Sequence, residues 1–167
     1  MKKYLIDTHI LLWIMAETTK LTPKSRNIIE DANNILILGS VSIWEIAIKT
    51  SLKKLEFNIK IEDLQTELAS KSINILEPNM FVYTKIQSMP YYKIDNVEHR
   101  DPFDRMLIAQ AITESIPIIS ADTKFDLYPE ILKICKIFSV KLCEKYPLCE
   151  ILREKAKKIR NNSAETS

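Results

Sequence analysis

The chain has 167 residues, of which 46% are hydrophobic and 28% charged, and its net charge is +2. This composition is typical of one globular domain with a substantial core, and it excludes a disordered chain. The single glycine excludes glycine-rich phosphate loops, which need several glycines. No apolar run approaches the roughly 20 residues of a membrane span.

Short apolar runs alternate with amphipathic stretches along the first 140 residues, a pattern typical of a parallel sheet flanked by helices. The intervals between the runs are long enough for the crossover connections that parallel strands need. The predicted strands are residues 4–6, 35–38, 73–76, 117–119 and 134–138, and the predicted helices are residues 9–16, 23–31, 42–52, 61–71, 79–89, 102–115 and 123–128.

The sequence divides near residue 140. Residues 1–140 carry the alternating pattern and form one predicted domain, in which residues 90–101 are expected to be irregular. Residues 141–167 are rich in Lys and Glu and predict a helical extension that ends in a polar tail.

The cysteines and the N-terminus bear on the compartment. Cys135, Cys143 and Cys149 match no zinc-ligand or CxxC spacing, which predicts reduced thiols. The chain enters its first predicted strand without a signal-peptide pattern. We therefore expect a cytoplasmic protein that has no membrane partner.

Four carboxylates stand where a predicted strand ends or a predicted helix begins: Asp7, Glu45, Asp104 and Asp122. In a parallel sheet the carboxyl ends of the strands and the starts of the following helices share one edge, where ligand crevices form. Carboxylates gathered in one place repel one another, and a bound divalent cation relieves that repulsion. The arrangement predicts metal-assisted attack on a phosphodiester.

Three of these acids also have an ordinary structural explanation. Asp7 and Asp122 could cap a helix or stabilise a turn, roles that favour Asp. Glu45 could close a capping box with Ser42, or pair with Lys49 one helical turn away. Taken alone, Asp7 favours the cap, and the two explanations of Glu45 are evenly balanced.

Asp104 favours function. Asp101 is the predicted N-cap of a helix with Pro102 at its first position, so Asp104 falls in the first turn. A carboxylate there gains about 0.3–1 kcal/mol from the helix dipole. Asp104 also shares an apolar helix face with Leu107 and Ile108, where a buried carboxylate without a partner would cost several kcal/mol. A partner for Asp104 is therefore implied.

The histidines and tryptophans are weaker candidates. His9 and His99 are lone imidazoles without a second ligand at metal-binding spacing, so catalysis is the minority interpretation for both. Trp13 and Trp44 lie in apolar helical stretches and are predicted to be core residues.

Four ordered segments of the sequence together resemble PIN-domain proteins. They are LIDTHILLW (5–13), SIWEIAIK (42–49), HRDPFDRMLIAQA (99–111) and ISAD (119–122). The nearest match is to the VapC-type ribonuclease toxins of bacterial toxin–antitoxin modules, and the resemblance spans residues 3–138. Residues 141–167 extend beyond the usual end of that domain.

The resemblance implies an α/β fold with a five-stranded parallel sheet of order 3-2-1-4-5, sandwiched by helices. It also implies that Asp7, Glu45, Asp104 and Asp122 are catalytic, with Mg²⁺ or Mn²⁺ held by Asp7, Asp104 and Asp122. An RNA substrate, a homodimer and a small cognate antitoxin are further implications. Tyr91, Tyr92 and Arg100 are candidate RNA contacts.

Two alternatives remain open from the residues. The first is a non-catalytic PIN-fold module that binds RNA or protein, in which the acids only cap helices. The second is a phosphatase of the haloacid dehalogenase type, but such enzymes need Asp-x-Asp after the first strand, and here His9 stands at the second position.

Overall fold

The computed structural model of the protein describes residues 1–94 and 96–132. In this part of the chain the strands are β1 Lys2–Ile6, β2 Asn34–Gly39, β3 Ile73–Leu76, β4 Lys93–Ile94, β5 Val97–Glu98 and β6 Ile118–Ile119. The helices are α1 Thr8–Ala16, α2 Pro23–Glu30, α3 Ser40–Ser51, α4 Ile61–Ser70, α5 Met80–Ser88, α6 Pro102–Thr113 and α7 Pro129–Leu132, with short 3₁₀ helices at Thr18–Lys20 and Thr123–Leu127.

Four of the strands form one parallel sheet in the order β3-β2-β1-β6. This confirms the first four positions of the predicted order, because β6 is the fourth strand of the predicted set. The predicted strand 134–138 and the extension 141–167 lie outside the described residues. The stretch expected to be irregular, residues 90–101, contains the small antiparallel hairpin of β4 and β5.

Both faces of the sheet are covered by apolar packing. Leu5 and Ile37 point to one face, where they pack with α6 residues such as Ile108. Ile6 and Leu38 point to the other face and join a second core cluster. This alternation follows from the two-residue period of a strand, and burial on both faces explains why the strands read as continuous apolar runs. Within the described residues, none of the helices is long and apolar enough to cross a bilayer.

Helix α3 begins two residues earlier than the sequence predicts. Gly39 is its N-cap, and Ser40 is its first residue. The predicted capping box of Ser42 and Glu45 is therefore wrong, because both residues already lie inside the helix. The Ser42 hydroxyl is buried and has no hydrogen-bond partner among the described residues.

Trp44 also differs from its prediction as a core residue. Its side chain is 56% exposed, and its ring meets the Phe103 ring edge-on at 5.1 Å. Trp13 is half-buried and packs against the second core cluster. Trp44 therefore belongs to the surface of α3, beside the start of α6.

Close packing explains why the only glycine of the chain stands at position 39. Gly39 has φ −67°, which any residue can adopt. A Cβ atom at this position would lie 2.5 Å from Gln110 Oε1 and 2.8 Å from Leu107 Cδ2, both in α6. Both side chains are buried, and a Cβ atom here would force them to shift. The glycine lets the end of β2 approach the helix that carries Asp104.

We expect Gly39→Ala to lower the free energy of unfolding by about 1–3 kcal/mol, the usual cost of overpacking a filled core. Urea denaturation measures this change. Ser51→Ala, at the exposed end of the same helix, is the control and should stay within about 0.5 kcal/mol of the parent protein. Equal stability of the glycine variant and the parent would contradict the close-approach explanation.

Candidate functional site

The carboxyl ends of β1 and β6 lie side by side. Ile6 is in register with Ile119, and the Asp7 amide donates to the Ile119 carbonyl at 3.0 Å. Asp7 is 3% exposed and is the N-cap of α1, where its Oδ1 accepts from the His9 amide at 3.1 Å. Its Oδ2 accepts from Ser120 Oγ at 2.6 Å. Asp7 is thus a cap and also faces the end of β6.

Ser120 links Asp7 to Asp122. Its Oγ accepts a hydrogen bond from the Asp122 amide at 3.0 Å while it donates to Asp7. The Asp122 side chain caps the following 3₁₀ helix by accepting from the Lys124 amide at 2.8 Å. Lys124 Nζ lies 3.8 Å from Asp122 Oδ2. These contacts hold Asp122 next to Asp7 at the same strand ends.

Glu45 reaches the same edge from inside α3. It is 6% exposed, its Oε2 accepts from Thr8 Oγ1 at 2.5 Å, and its Oε1 pairs with Lys49. The predicted pairing with Lys49 is confirmed. Because Thr8 directly follows Asp7, the hydrogen bond from Thr8 places Glu45 beside the end of β1.

The pKa of Lys49 reflects the charges around its side chain. Burial lowers the pKa of Lys49, but its hydrogen bond with Glu45 and the negative charges of Glu45, Asp101 and Asp104 outweigh burial, so the pKa is raised overall. The side chain of Lys49 therefore lies in a field to which α3 and the start of α6 both contribute.

Asp104 lies in the first turn of α6. Asp101 caps this helix by accepting from the Phe103 and Asp104 amides at 2.9 and 3.1 Å, as the sequence predicts. The Asp104 side chain is 18% exposed, and its Oδ2 lies 2.9 Å from Nε2 of His99. The partner that burial of Asp104 implied is therefore His99.

The pKa of Asp104 is raised to about 6. The largest cause is burial, and the charges of Asp101 and Asp122 add to it, while the hydrogen bond from His99 acts in the opposite direction. An ionised Asp104 is therefore under repulsion from neighbouring carboxylates, as expected where acids gather.

The four predicted site residues, Asp7, Glu45, Asp104 and Asp122, stand at one edge of the sheet, which we call the acid edge. Hydrogen bonds connect Asp7 with Asp122 through Ser120 and bring Glu45 to Thr8, and the charge of Asp122 acts on Asp104. In residues 1–94 and 96–132, however, no three His, Cys, Asp or Glu side chains converge closely enough to form a ready-made metal site. The assignment of catalytic and metal-binding roles to these acids stays a prediction.

The donor set nevertheless has the chemistry of a site for a hard divalent cation. Asp7, Asp104 and Asp122 supply carboxylate oxygens, which Mg²⁺ and Mn²⁺ prefer. Burial is the largest cause of the raised pKa of Asp104, and the negative charges of Asp101 and Asp122 add to it, so a cation would favour the ionised form of this carboxyl. These residues fit such an ion in kind, and its binding would require their side chains to draw together.

Sequence reasoning missed the polar residues that hold the acids. Thr8 and Ser120 each follow a strand end, and their position there was the available signal. His99 is a weak candidate from the sequence because no second His or Cys stands at metal-ligand spacing. Its partners in the fold are Asp104, five residues away, and Tyr128, 29 residues away, and the pairing with Tyr128 has no local pattern that could reveal it.

The candidate RNA contacts are partly engaged within the protein. The Tyr91 ring lies over the Arg105 guanidinium at 4.0 Å, and Tyr92 packs edge-on against Tyr128 at 5.0 Å. Arg100 is exposed and pairs with Glu98. An open cleft of about 410 Å³ is lined by residues of the β4–β5 hairpin and by His99, Arg100, Asp101 and Lys124.

The PIN domain family model matches residues 4–131, most of the chain. The chain therefore belongs to the PIN domain family, which confirms the resemblance and the fold class that the sequence predicts. No curated protein sequence is significantly similar to it.

Several solved structures are similar to the chain at low sequence identity. A VapBC2 structure from Rickettsia felis, bound to a DNA fragment from the promoter, gives a TM-score of 0.55 at 16% identity, covering 81% of this chain and 98% of that one. At this identity the likeness shows the fold alone. VapBC-1 from nontypeable Haemophilus influenzae gives 0.45 at 18% identity, covering 80% and 96%. FitAcB from Neisseria gonorrhoeae gives 0.46 at 18% identity, covering 81% and 96%.

The raised pKa of Asp104 predicts how the metal-free protein responds to pH. The folded state binds this proton more tightly than the unfolded state, whose pKa is near 3.8. The stability from protonated Asp104 is therefore full below about pH 4 and is lost as the pH rises through about 6. Asp104→Asn should remove this loss and be more stable than the parent by about 1–3 kcal/mol at pH 7.

Urea denaturation in EDTA across pH 4–8 measures the effect. Asp63→Asn, at an exposed position in the first turn of α4, is the matched control and should follow the parent curve closely. If Asp104→Asn shows the same fall in stability between pH 4 and 6 as the parent, another group is responsible.

Proposed function

We propose that this PIN-domain protein is a metal-dependent endoribonuclease of the VapC type, acting as the toxin of a toxin–antitoxin pair. The observation that carries the proposal is the meeting of β1, β6, α3 and α6 at one edge, where each contributes or adjoins an acid: Asp7, Asp122, Glu45 and Asp104. Helix caps of a parallel sheet would share this edge as well, so the acids that decide the matter are Glu45, which is buried inside α3, and Asp104, whose helix is already capped by Asp101.

In this proposal Asp7, Asp104 and Asp122 hold Mg²⁺ or Mn²⁺. When bound, the ion would polarise the phosphate and lower the pKa of its bound water. Ser120 and the His9 amide already orient the Asp7 carboxylate, so the ordering that remains is the drawing together of the three side chains.

Glu45 acts as a further ligand or orients the attacking water. Thr8 and Lys49 each hold one of its oxygens, which fixes the direction of the carboxylate. Hydrolysis by water leaves ends with a 5′-phosphate and a 3′-hydroxyl.

Single-stranded or looped RNA is the proposed substrate. Its backbone can bend into a crevice, and its bases are free to stack on side chains. Trp44 offers an exposed indole, braced by Phe103, immediately beside Glu45 in the chain. Lys124 and Arg100 are exposed cations and Lys49 is a half-buried one around the same edge, so binding should weaken as salt rises.

A small antitoxin, a homodimer and a cytoplasmic location complete the proposal. The R. felis neighbour with a TM-score of 0.55 is a VapBC complex, which supports a protein partner for this chain. The alternative is a non-catalytic PIN-fold module that binds RNA or protein, and metal binding distinguishes it from a nuclease.

We expect Asp7→Asn and Asp104→Asn each to reduce RNA cleavage in Mg²⁺ or Mn²⁺ by at least about 100-fold. Loss of a residue that only supports a ligand already costs about 10–100-fold, and loss of a ligand should cost no less. Cleavage of a structured RNA panel measures this, with Asp63→Asn as the control that retains parent activity.

Thermal melting with Mn²⁺ separates the nuclease from the binding module. A protein that binds the ion only when folded gains about 2.7 kcal/mol at 100 times the Kd. The parent and Asp63→Asn should gain stability, and the two site variants should gain much less. Parent-like cleavage by both variants would defeat the assignment, and a parent without any Mn²⁺ response would favour the non-catalytic module.

Trp44 should contribute to RNA affinity by stacking. Trp44→Ala is expected to weaken binding of a single-stranded oligoribonucleotide by about 5- to 150-fold, which corresponds to the 1–3 kcal/mol of one base–aromatic contact. Trp44→Phe keeps an aromatic face and should keep most of the affinity, and the control Trp13→Phe should bind as the parent does. Fluorescence anisotropy in EDTA measures binding without cleavage, and parent-like binding by Trp44→Ala would exclude the stacking role.

A further inference from the structure

A buried series of hydrogen-bonded side chains ends at Asp104. His99 is 5% exposed and lies between two partners, with Nδ1 3.0 Å from the Tyr128 hydroxyl and Nε2 2.9 Å from Asp104 Oδ2. Tyr128 is fully buried at the end of the 3₁₀ helix that follows Asp122. The imidazole therefore connects the interior of the protein with an acid of the candidate site.

Arg105 donates the first hydrogen bond of this series. Its guanidinium is buried and donates to the carbonyls of Ile86, Met89 and Pro90 at 3.3, 2.8 and 2.9 Å. It also lies within 3.4 Å of the Tyr128 hydroxyl. Because a guanidinium only donates, the Tyr128 oxygen accepts from Arg105.

The Asp104 carboxylate determines the roles of the two ring nitrogens. An ionised carboxylate only accepts, so Nε2 of His99 carries the proton and donates it to Asp104 Oδ2. In the neutral ring Nδ1 is then an acceptor, and the Tyr128 hydroxyl, which accepts from Arg105, donates its O–H to Nδ1.

We infer that His99, held in its Nε2–H tautomer by Tyr128 and Arg105, is a positioning residue that fixes the Asp104 carboxylate for ion binding. One oxygen, Oδ2, is committed to the imidazole, and Oδ1 is the oxygen offered to a ligand. The inference rests on the proposed function, since it concerns the same site. Such supporting contacts raise the affinity of metal sites by about 10–100-fold.

A purely structural role is the competing explanation. Buried His and Tyr side chains often only satisfy each other, and their loss then lowers stability without affecting a site. Here the hydrogen-bonded series ends at the Asp104 carboxylate, which remains partly exposed at the acid edge. The positioning role therefore predicts changes in the folded protein that a structural role does not.

The test compares His99→Leu, His99→Gln and Tyr128→Phe with the parent as full-length proteins. Mn²⁺ affinity by calorimetry should fall about 10–100-fold in His99→Leu, which removes the N–H donor. His99→Gln restores an N–H donor and should recover much of that loss. Tyr128→Phe removes one hydroxyl and should fall between these two variants.

Tyr92→Phe is the matched control, because Tyr92 packs edge-on against Tyr128 and loses a hydroxyl in the same cluster. It should bind Mn²⁺ as the parent does. RNA cleavage at saturating Mn²⁺ should show a lower kcat and an unchanged KM in His99→Leu. A thermal melt of each variant shows that it is folded, and Tyr128→Phe decides the question if His99→Leu does not fold.

A tautomer measurement separates the inference from the proposed function. In the ¹⁵N-labelled metal-free parent at about pH 8, above the ordinary histidine pKa of about 6.5, NMR should show His99 with its proton on Nε2. Tyr128→Phe should shift part of the population to the other tautomer. A proton on Nδ1 in the parent overturns the inference whatever the enzyme does.

The remaining outcomes are also decisive. If the parent binds Mn²⁺ and cleaves RNA while His99→Leu and Tyr128→Phe match it, only the positioning role is wrong. If the parent binds no Mn²⁺ at all, the proposed function and the inference are both wrong. A parent-like Mn²⁺ affinity in a less stable Tyr128→Phe supports the structural explanation and overturns ours.

Discussion

The parallel pairing of β1 with β6 is the constraint on which the site depends. It brings together the ends of two strands that are far apart in the sequence. Asp7 and Ser120, which directly follow these strands, are 113 positions apart and are joined by a hydrogen bond. The two strands are short and wholly apolar where they pair, so burial on both faces fixes their register. A slip by one residue would turn Asp7 away from this edge.

The acids at this edge are held in place at an electrostatic cost. Asp104 resists ionisation because it is buried near Asp101 and Asp122, whereas Glu45 is compensated by Lys49 and Thr8. A fold that only needed helix caps could leave these carboxylates in water, where they would repel one another less. Their gathering is the observation on which the proposed cation site rests.

The periodic elements could be predicted from the sequence because they follow local patterns of apolar residues. The start of α3 could not, because Gly39 caps it without a side-chain signal while Ser42 and Glu45 imitate a capping box. Trp44 was predicted as core from its apolar neighbours, but its position on α3 turns it outward.

The acid edge could be predicted in outline, because parallel strands end on one side of a sheet and a carboxylate stands at or near each of these ends. The polar contacts that hold the acids could not be predicted, because Ser120, His99 and Tyr128 find their partners through the folded chain. The predicted strand 134–138 and the extension 141–167 lie outside the described residues, and their predictions stay untested.

Anomalous diffraction from crystals of this protein soaked in Mn²⁺ tests the proposed cation site. We expect one strong anomalous peak at the carboxyl ends of β1 and β6, in contact with oxygens of Asp7 and Asp104. Saturating Mn²⁺ without a peak at this edge, or with the acid oxygens turned away from one another, would contradict it.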